Sequence, residues 1–142
     1  MALYVIAATT LKPSTSAACE VGTGGAAIAA GDAIYQDTAD SNKWKLCDAD
    51  SATTAAKTVG AMAVTACAAD GCRLVVCRRD SALALGATTT QVMLEGDVLV
   101  LSNTAGKLQP APASSGGKTN VVGVATSATV INFYPLAGGS VA

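Results

Sequence analysis

This 142-residue chain reads as an all-β fold, a small barrel or sandwich built from two tandem strand modules behind an extended N-terminal arm. Three observations carry that expectation. Short apolar, partly β-branched runs recur between Gly- and Asp-containing turns. Gly, Thr and Val are frequent enough to break any long helix. And one pattern of residues occurs twice.

Residues 3–7 are apolar and partly β-branched, and residues 2–11 form an arm that ends before Lys12-Pro13. Such a segment suits pairing with a partner's sheet edge, where main-chain hydrogen bonds give affinity; equally, it suits an edge strand of its own domain. Gly22-Thr23-Gly24-Gly25-Ala26 follows. It lacks the Gly-Lys-Ser/Thr ending of a phosphate-cradling loop and reads as a flexible linker, so residues 1–30 are assigned to arm and Gly-rich linker. Strands are expected at 33–35, 58–64, 72–77, 98–101, 121–125 and 129–134. They are separated by turn chemistry at Gly31-Asp32, Asp70-Gly71, Gly96-Asp97, Ala105-Gly106 and Gly116-Gly117. The best helical candidate is one short turn over residues 51–57, with Asp48 or Asp50 as its N-cap. Residues 135–142 read as a flexible tail.

The duplication lies within residues 31–134, with copies at about 31–80 and 96–134. The first copy runs Gly31-Asp32-Ala33-Ile34-Tyr35, then Asn42-Lys43-Trp44-Lys45-Leu46, then Val59-Gly60-Ala61-Met62-Ala63. The second runs Gly96-Asp97-Val98-Leu99-Val100, then Gly106-Lys107-Leu108-Gln109-Pro110, then Val122-Gly123-Val124-Ala125. Gly31 and Gly96 are 65 positions apart, Lys43 and Lys107 are 64, and Gly60 and Gly123 are 63. Each copy reads as turn, strand, hairpin tip, polar loop, strand. Gly supplies the backbone angles of the tight turn and Asp bonds the local backbone. The Val-Gly-x-Ala strand keeps one face small so that another backbone approaches closely.

Composition narrows the function. Hydrophobic residues make up 51% of the chain but aromatics only 4%, with Ala dominant. Small side chains bury little area at about 25 cal/mol per Å², so the expected core is thin and an oligomer, with further burial between subunits, is anticipated. Nine Lys and Arg against ten Asp and Glu give a net charge of −1. That balance does not suit phosphate neutralisation along a nucleic acid. The lone basic pair, Arg78-Arg79, reads as an exposed strand end. The longest Ala-rich stretch, 61–69, is far short of the roughly 18 apolar residues that span a bilayer. The N-terminus carries no positive n-region of a signal peptide, so synthesis in the cytosol is expected.

The sequence contains no His, the usual base beside a Ser or Cys nucleophile, and no enzymatic role, catalytic residue, cofactor or metal is expected. Cys19, Cys47, Cys67, Cys72 and Cys77 are odd in number and lack zinc-ligand spacing; they read as reduced packing residues. Asp37, Asp40, Asp48, Asp50 and Asp70 read as solvated loop acids, since the calcium-loop pattern with its Gly and distal Glu is missing.

Taken in order, the Gly-Asp strand, the Gly-Lys-Leu-x-Pro hairpin of the second copy (Asn42-Lys43-Trp44-Lys45 in the first), the Ala/Ser/Thr loop and the Val-Gly-x-Ala strand resemble the capsid decoration, or cement, proteins of tailed bacteriophages. The resemblance spans residues 31–134. It implies a virion protein on the outer surface of the head, made in the bacterial host cytoplasm. It further implies a homotrimer that bridges neighbouring major capsid proteins against internal DNA pressure. No direct contact with nucleic acid or membrane is expected. Leu3, Tyr4, Val5, Ile6 and Trp44 are the candidate partner contacts. The alternative is a host-binding head-fibre or tail-associated module, with Trp44 near the hairpin tip as its ligand contact.

Overall fold

The computed structural model describes residues 3–51, 53, 55–111, 118–119, 121–135 and 140–141. It is an all-β protein whose main feature is one curled antiparallel sheet of eleven strands. In chain order the strands are β1 (Tyr4–Val5), β2 (Ala18–Thr23), β3 (Ala33–Asp37), β4 (Lys43–Leu46), β5 (Ala61–Ala63), β6 (Arg73–Ala84), β7 (Thr89–Thr90), β8 (Val98–Leu101), β9 (Leu108–Pro110), β10 (Lys118–Thr119), β11 (Val121–Ala125), β12 (Val130–Phe133) and β13 (Ser140–Val141). β10 and β13 form a separate two-stranded ladder. Among the described residues the helical expectation reduces to a 3-10 turn, Ala55–Lys57. Among the described residues no helix is long and apolar enough to cross a membrane.

Neighbour order in the sheet follows the sequence repeat. The first copy gives β4-β3-β5-β6 and the second β9-β8-β11-β12, and the two four-strand units meet where β6 pairs with β12. Corresponding backbone bonds recur. Gly31 N–H donates to Ala63 O at 2.7 Å, and Gly96 N–H to Ala125 O at 2.8 Å. The turn aspartates act alike: Ala29 N–H reaches Asp32 Oδ2 and Leu94 N–H reaches Asp97 Oδ2, at 2.9 and 3.0 Å. Gly31 and Gly96 both hold φ near +90°, at 91° and 89°, in the region open to Gly without a Cβ penalty. The small-residue rule for the last strand is strictest in the second copy. A Cβ on Gly123 would lie 2.3 Å from Asn132 O, a main-chain atom of the neighbouring strand.

An Ala-rich chain builds its core by placing its few large side chains inside. Tyr4, Phe133, Met62, Met93, Leu83, Leu85, Leu99, Leu108 and Ile131 fill one cluster shared by both units. Ile28, Ile34, Trp44, Leu74 and Val76 fill a second, under the first unit.

The first 30 residues are not a free arm and linker. β1 sits in the sheet between β9 and β7. The chain then runs antiparallel along β6, bridging at Lys12 and Ala84 and pairing as β2 over Arg73–Arg79. The expected Gly-rich linker is the end of this strand. Its glycines are set by close approach, because a Cβ on Gly22 would stand 2.5 Å from Trp44 Nε1, and one on Gly24 only 2.3 Å from Cys67 Sγ. Gly24 forms a parallel bridge with Trp44 that curls this end of the sheet back on itself. The Gly116-Gly117 turn and most of the expected tail lie outside the described residues.

Two further expectations are corrected. Arg78-Arg79 lies within a twelve-residue strand rather than at a strand end. Arg78 stacks over Trp44 at 5.0 Å and Arg79 over Tyr134 at 4.7 Å, a contact that draws cations to aromatic faces. Cys67 and Cys72, expected reduced, form a disulfide across the Asp70-Gly71 turn, with Cα atoms 5.7 Å apart. That spacing suits a disulfide. Cys47 does pack as a buried thiol, and burial pushes it up to about 12.

The segment between β1 and β2 is pinned by one carboxylate. Asp80, only 1% exposed, accepts hydrogen bonds from the backbone N–H and hydroxyl of Ser14, from Ser16 Oγ and from Ala82 N–H. Burial alone would raise its pKa, but these donors outweigh burial and hold it below the usual carboxylate value. A depressed carboxyl stabilises the fold fully above the unfolded pKa of about 3.9, and that contribution is lost as pH falls through the folded value. Urea midpoints measured between about pH 7 and pH 2 should therefore drop below about pH 4. Asp80→Asn should cost about 1–3 kcal/mol at neutral pH and flatten the acid limb. An unchanged limb in the variant would place the acid sensitivity elsewhere.

Candidate partner-contact surface

The arm residues proposed as contacts are mostly consumed by the fold. Tyr4 pairs with Leu108 and Thr90, is 2% exposed, and donates its hydroxyl to Asp97 Oδ2 at 3.0 Å. Burial, with the hydrogen bond to Asp97 and the negative charge beside it, raises the Tyr4 phenol above its ordinary value. Ile6 packs on the main core and against Gly31. Leu3 is half-buried. Of the four, only Val5 is exposed, at 46%. The arm's reading as an edge strand of its own domain is the one the geometry supports, and Tyr4 is corrected from contact to core.

Trp44 is corrected in the same way. Its ring is 1% exposed and packed by Gly22, Gly60 and the Arg78 guanidinium. The physical reason is the curl of the first unit: the only large aromatic of β4 points inward, and β2 lies across it with a glycine at the point of contact. A buried ring offers no face to a glycan, so the host-binding alternative loses its proposed contact. Its hairpin is bounded instead by charge pairs. Lys45 binds Asp37 at 2.8 Å and Asp40 at 2.9 Å, and Lys43 binds Asp70 at 2.9 Å. Each of these aspartates is therefore paired with a lysine, while Asp40 and Asp70 keep the solvent exposure expected of loop acids, their side chains 43% and 64% exposed. The hydrogen bond to Lys45 holds Asp37 below the usual carboxylate range, and Lys43 does the same for Asp70.

Two turns of the repeat meet where the two units touch. Asp32 is buried and accepts from Lys107 Nζ at 2.7 Å. Beside it, Ala33 N–H donates to Gly106 O and Gly106 N–H donates to Cys47 O, at 2.8 and 2.7 Å. The tip of the second hairpin thus docks on the Gly-Asp turn of the first copy. Gly106 has φ +76°, and a Cβ there would stand 2.9 Å from Leu46 Cδ2 and 3.0 Å from Asp32 Cγ. Leu3, Tyr4, Val5 and Ile6 close over this junction, leaving a cavity of about 110 Å³.

Val21, Val124 and Tyr134 are also exposed, but the apolar side chains left outward beside the arm lie elsewhere. Val92 and Leu94 are 61% and 62% exposed, in the segment that follows β7, the strand paired with β1 and Val5. Their presentation is built in. The buried Thr88 hydroxyl donates to Gln91 O and accepts from Met93 N–H, both at 2.9 Å. That clasp sends the Met93 side chain into the core and leaves its two neighbours outside. The alternation Val92-Met93-Leu94, one apolar residue in and two out, was the available sequence signal.

No protein-family model matches the chain, and no curated protein matches it.

Trp44→Ala should lower stability by about 3–5 kcal/mol, the range for emptying a buried aromatic site. Urea unfolding followed by circular dichroism measures this. A change below about 0.5 kcal/mol, the scale of surface substitutions, would mean that the ring is a surface group after all.

Proposed function

We propose that this chain is a capsid decoration protein of a tailed bacteriophage. It sits on the outer face of the head, as a homotrimer, and bridges neighbouring major capsid proteins. The observation that carries this reading is the duplicated unit: a Gly-Asp turn and strand, a Lys-bearing hairpin and a Val-Gly-x-Ala strand, present twice and interlocked through Asp32 and Lys107. These are the motifs on which the resemblance to cement proteins rests. A low, balanced charge and small side chains suit many modest contacts on a lattice, where multivalency multiplies weak affinities.

The contact with the capsid is assigned to the exposed apolar residues beside the β1–β7 edge, namely Val5, Val92 and Leu94. Burying one such side chain contributes about 1.5–3 kcal/mol, so a charge placed there weakens each contact at least tenfold. Purified protein added to expanded heads that lack it should co-sediment to saturation. The Val92→Asp and Leu94→Asp variants, folded by circular dichroism, should each bind at least about tenfold more weakly. Heads that take up none of the wild-type protein would end this reading.

A further inference from the structure

Cys19 and Cys77 face one another across two strands. Cys19 is the second residue of β2 and Cys77 lies on β6 directly opposite it in the antiparallel register. Main-chain bonds identify the type of site. Just before β6, Cys72 O accepts Gly24 N–H on the β2 side at 2.8 Å, whereas within β6 Val75 O accepts Val64 N–H on the β5 side at 2.8 Å. Alternate residues therefore aim their N–H and C=O at opposite edges. Cys77 shares parity with Val75, so its polar main-chain groups turn toward β5. The Cys19–Cys77 position in the β2–β6 ladder is thus a non-hydrogen-bonded pair. At such pairs the Cα atoms lie about 4.5 Å apart and the side chains are closest, which is within the span a disulfide bridges.

The two thiols also divide the labour of oxidation. Cys19 is exposed and Cys77 is buried, and both are free. Burial, with Cys19 beside it, pushes the Cys77 thiol up to about 12. The accessible Cys19 sulfur is therefore the one that meets an oxidant first. β2 itself has the most to gain from a covalent tie. None of its side chains is buried, and its hold rests on the ladder to β6, the Arg78–Glu20 ion pair and the Gly24 bridge to Trp44.

We propose that Cys19 and Cys77 form a redox latch, a dithiol that oxidises to a cross-strand disulfide and locks β2 down over Trp44. With a low-molecular-weight disulfide such as oxidised glutathione, the Cys19 thiolate attacks one sulfur of the oxidant. A mixed disulfide forms and one glutathione thiolate leaves. Cys77 then loses its proton to solvent and attacks the Cys19 sulfur, expelling the second glutathione. Two protein thiols are oxidised and one glutathione disulfide is reduced. The latch is distinct from the Cys67–Cys72 bond, which closes only a local turn, and it does not depend on the proposed place of the protein in a capsid. It stays open in a reducing cytosol and closes in oxidising surroundings.

The full chain is purified under thiol reductant, then incubated with oxidised glutathione and compared with a reduced sample. Non-reducing peptide mapping should recover the Cys19 and Cys77 peptides joined. The fluorescence of Trp44, the only Trp in the chain, should report a melting temperature higher by on the order of 10 °C after oxidation. Cys19→Ser should abolish the linked peptide and cut the gain to the part that reclosing Cys67–Cys72 alone supplies, while Cys47→Ser should keep the linked peptide and the full gain. Recovery of Cys19 as a free thiol, a glutathione adduct or an interchain link would overturn the latch. So would a linked pair that leaves the melting temperature where it was.

Discussion

The docking of the Gly106-Lys107 tip on the Gly31-Asp32 turn is the contact on which the rest of the molecule depends. A buried carboxylate is tolerable only when it is paired and hydrogen-bonded. Asp32 meets that condition by receiving one bond from its own turn, at Ala29, and one from the other copy, at Lys107. Gly106 lets the main chain come close enough to exchange bonds with Ala33 and Cys47. One unit therefore supplies the partner that the other unit's turn requires. The β6–β12 ladder joins the same two units by a second route, and the shared core fills the space enclosed.

The interlock is not symmetric, and the asymmetry explains where the surface lies. Asp97, the counterpart of Asp32, takes its partner from the N-terminal segment through Tyr4. Lys43, the counterpart of Lys107, is held by Asp70 and Asp40 at its own end of the sheet. The arm thus stands at the second unit's turn where a hairpin tip stands at the first. That spends Tyr4 and Ile6 on the interior and leaves Val5, with Val92 and Leu94 beyond β7, as apolar groups still facing outward.

Much of this was legible in the residues. The β class followed from strand-like runs and turn chemistry, and the strands Val98–Leu101 and Val121–Ala125 lie where the apolar runs place them. The role of Gly at 31, 96 and 123 was readable because each meets a local demand of backbone angle or close approach. Apart from the Cys67–Cys72 bond, which closes a local turn, the main errors share one cause, contact between residues far apart in the chain. Gly22 and Gly24 look like a linker until the Trp44 ring and the Cys67 sulfur are known to press against them. Trp44 and Tyr4 look like surface anchors because nothing nearby in sequence shows what will cover them. Cys19 and Cys77, separated by the length of a whole unit, become a pair only through strand register.

The central claim is that the two units hold each other through Asp32 and Lys107, and a double-mutant cycle measures it most directly. Unfolding free energies of wild type, Asp32→Asn, Lys107→Met and the double variant should yield a coupling of about 1–2 kcal/mol, within the range for residues in one charged hydrogen-bonded contact. Additivity within about 0.3 kcal/mol, the behaviour of independent sites, would contradict it.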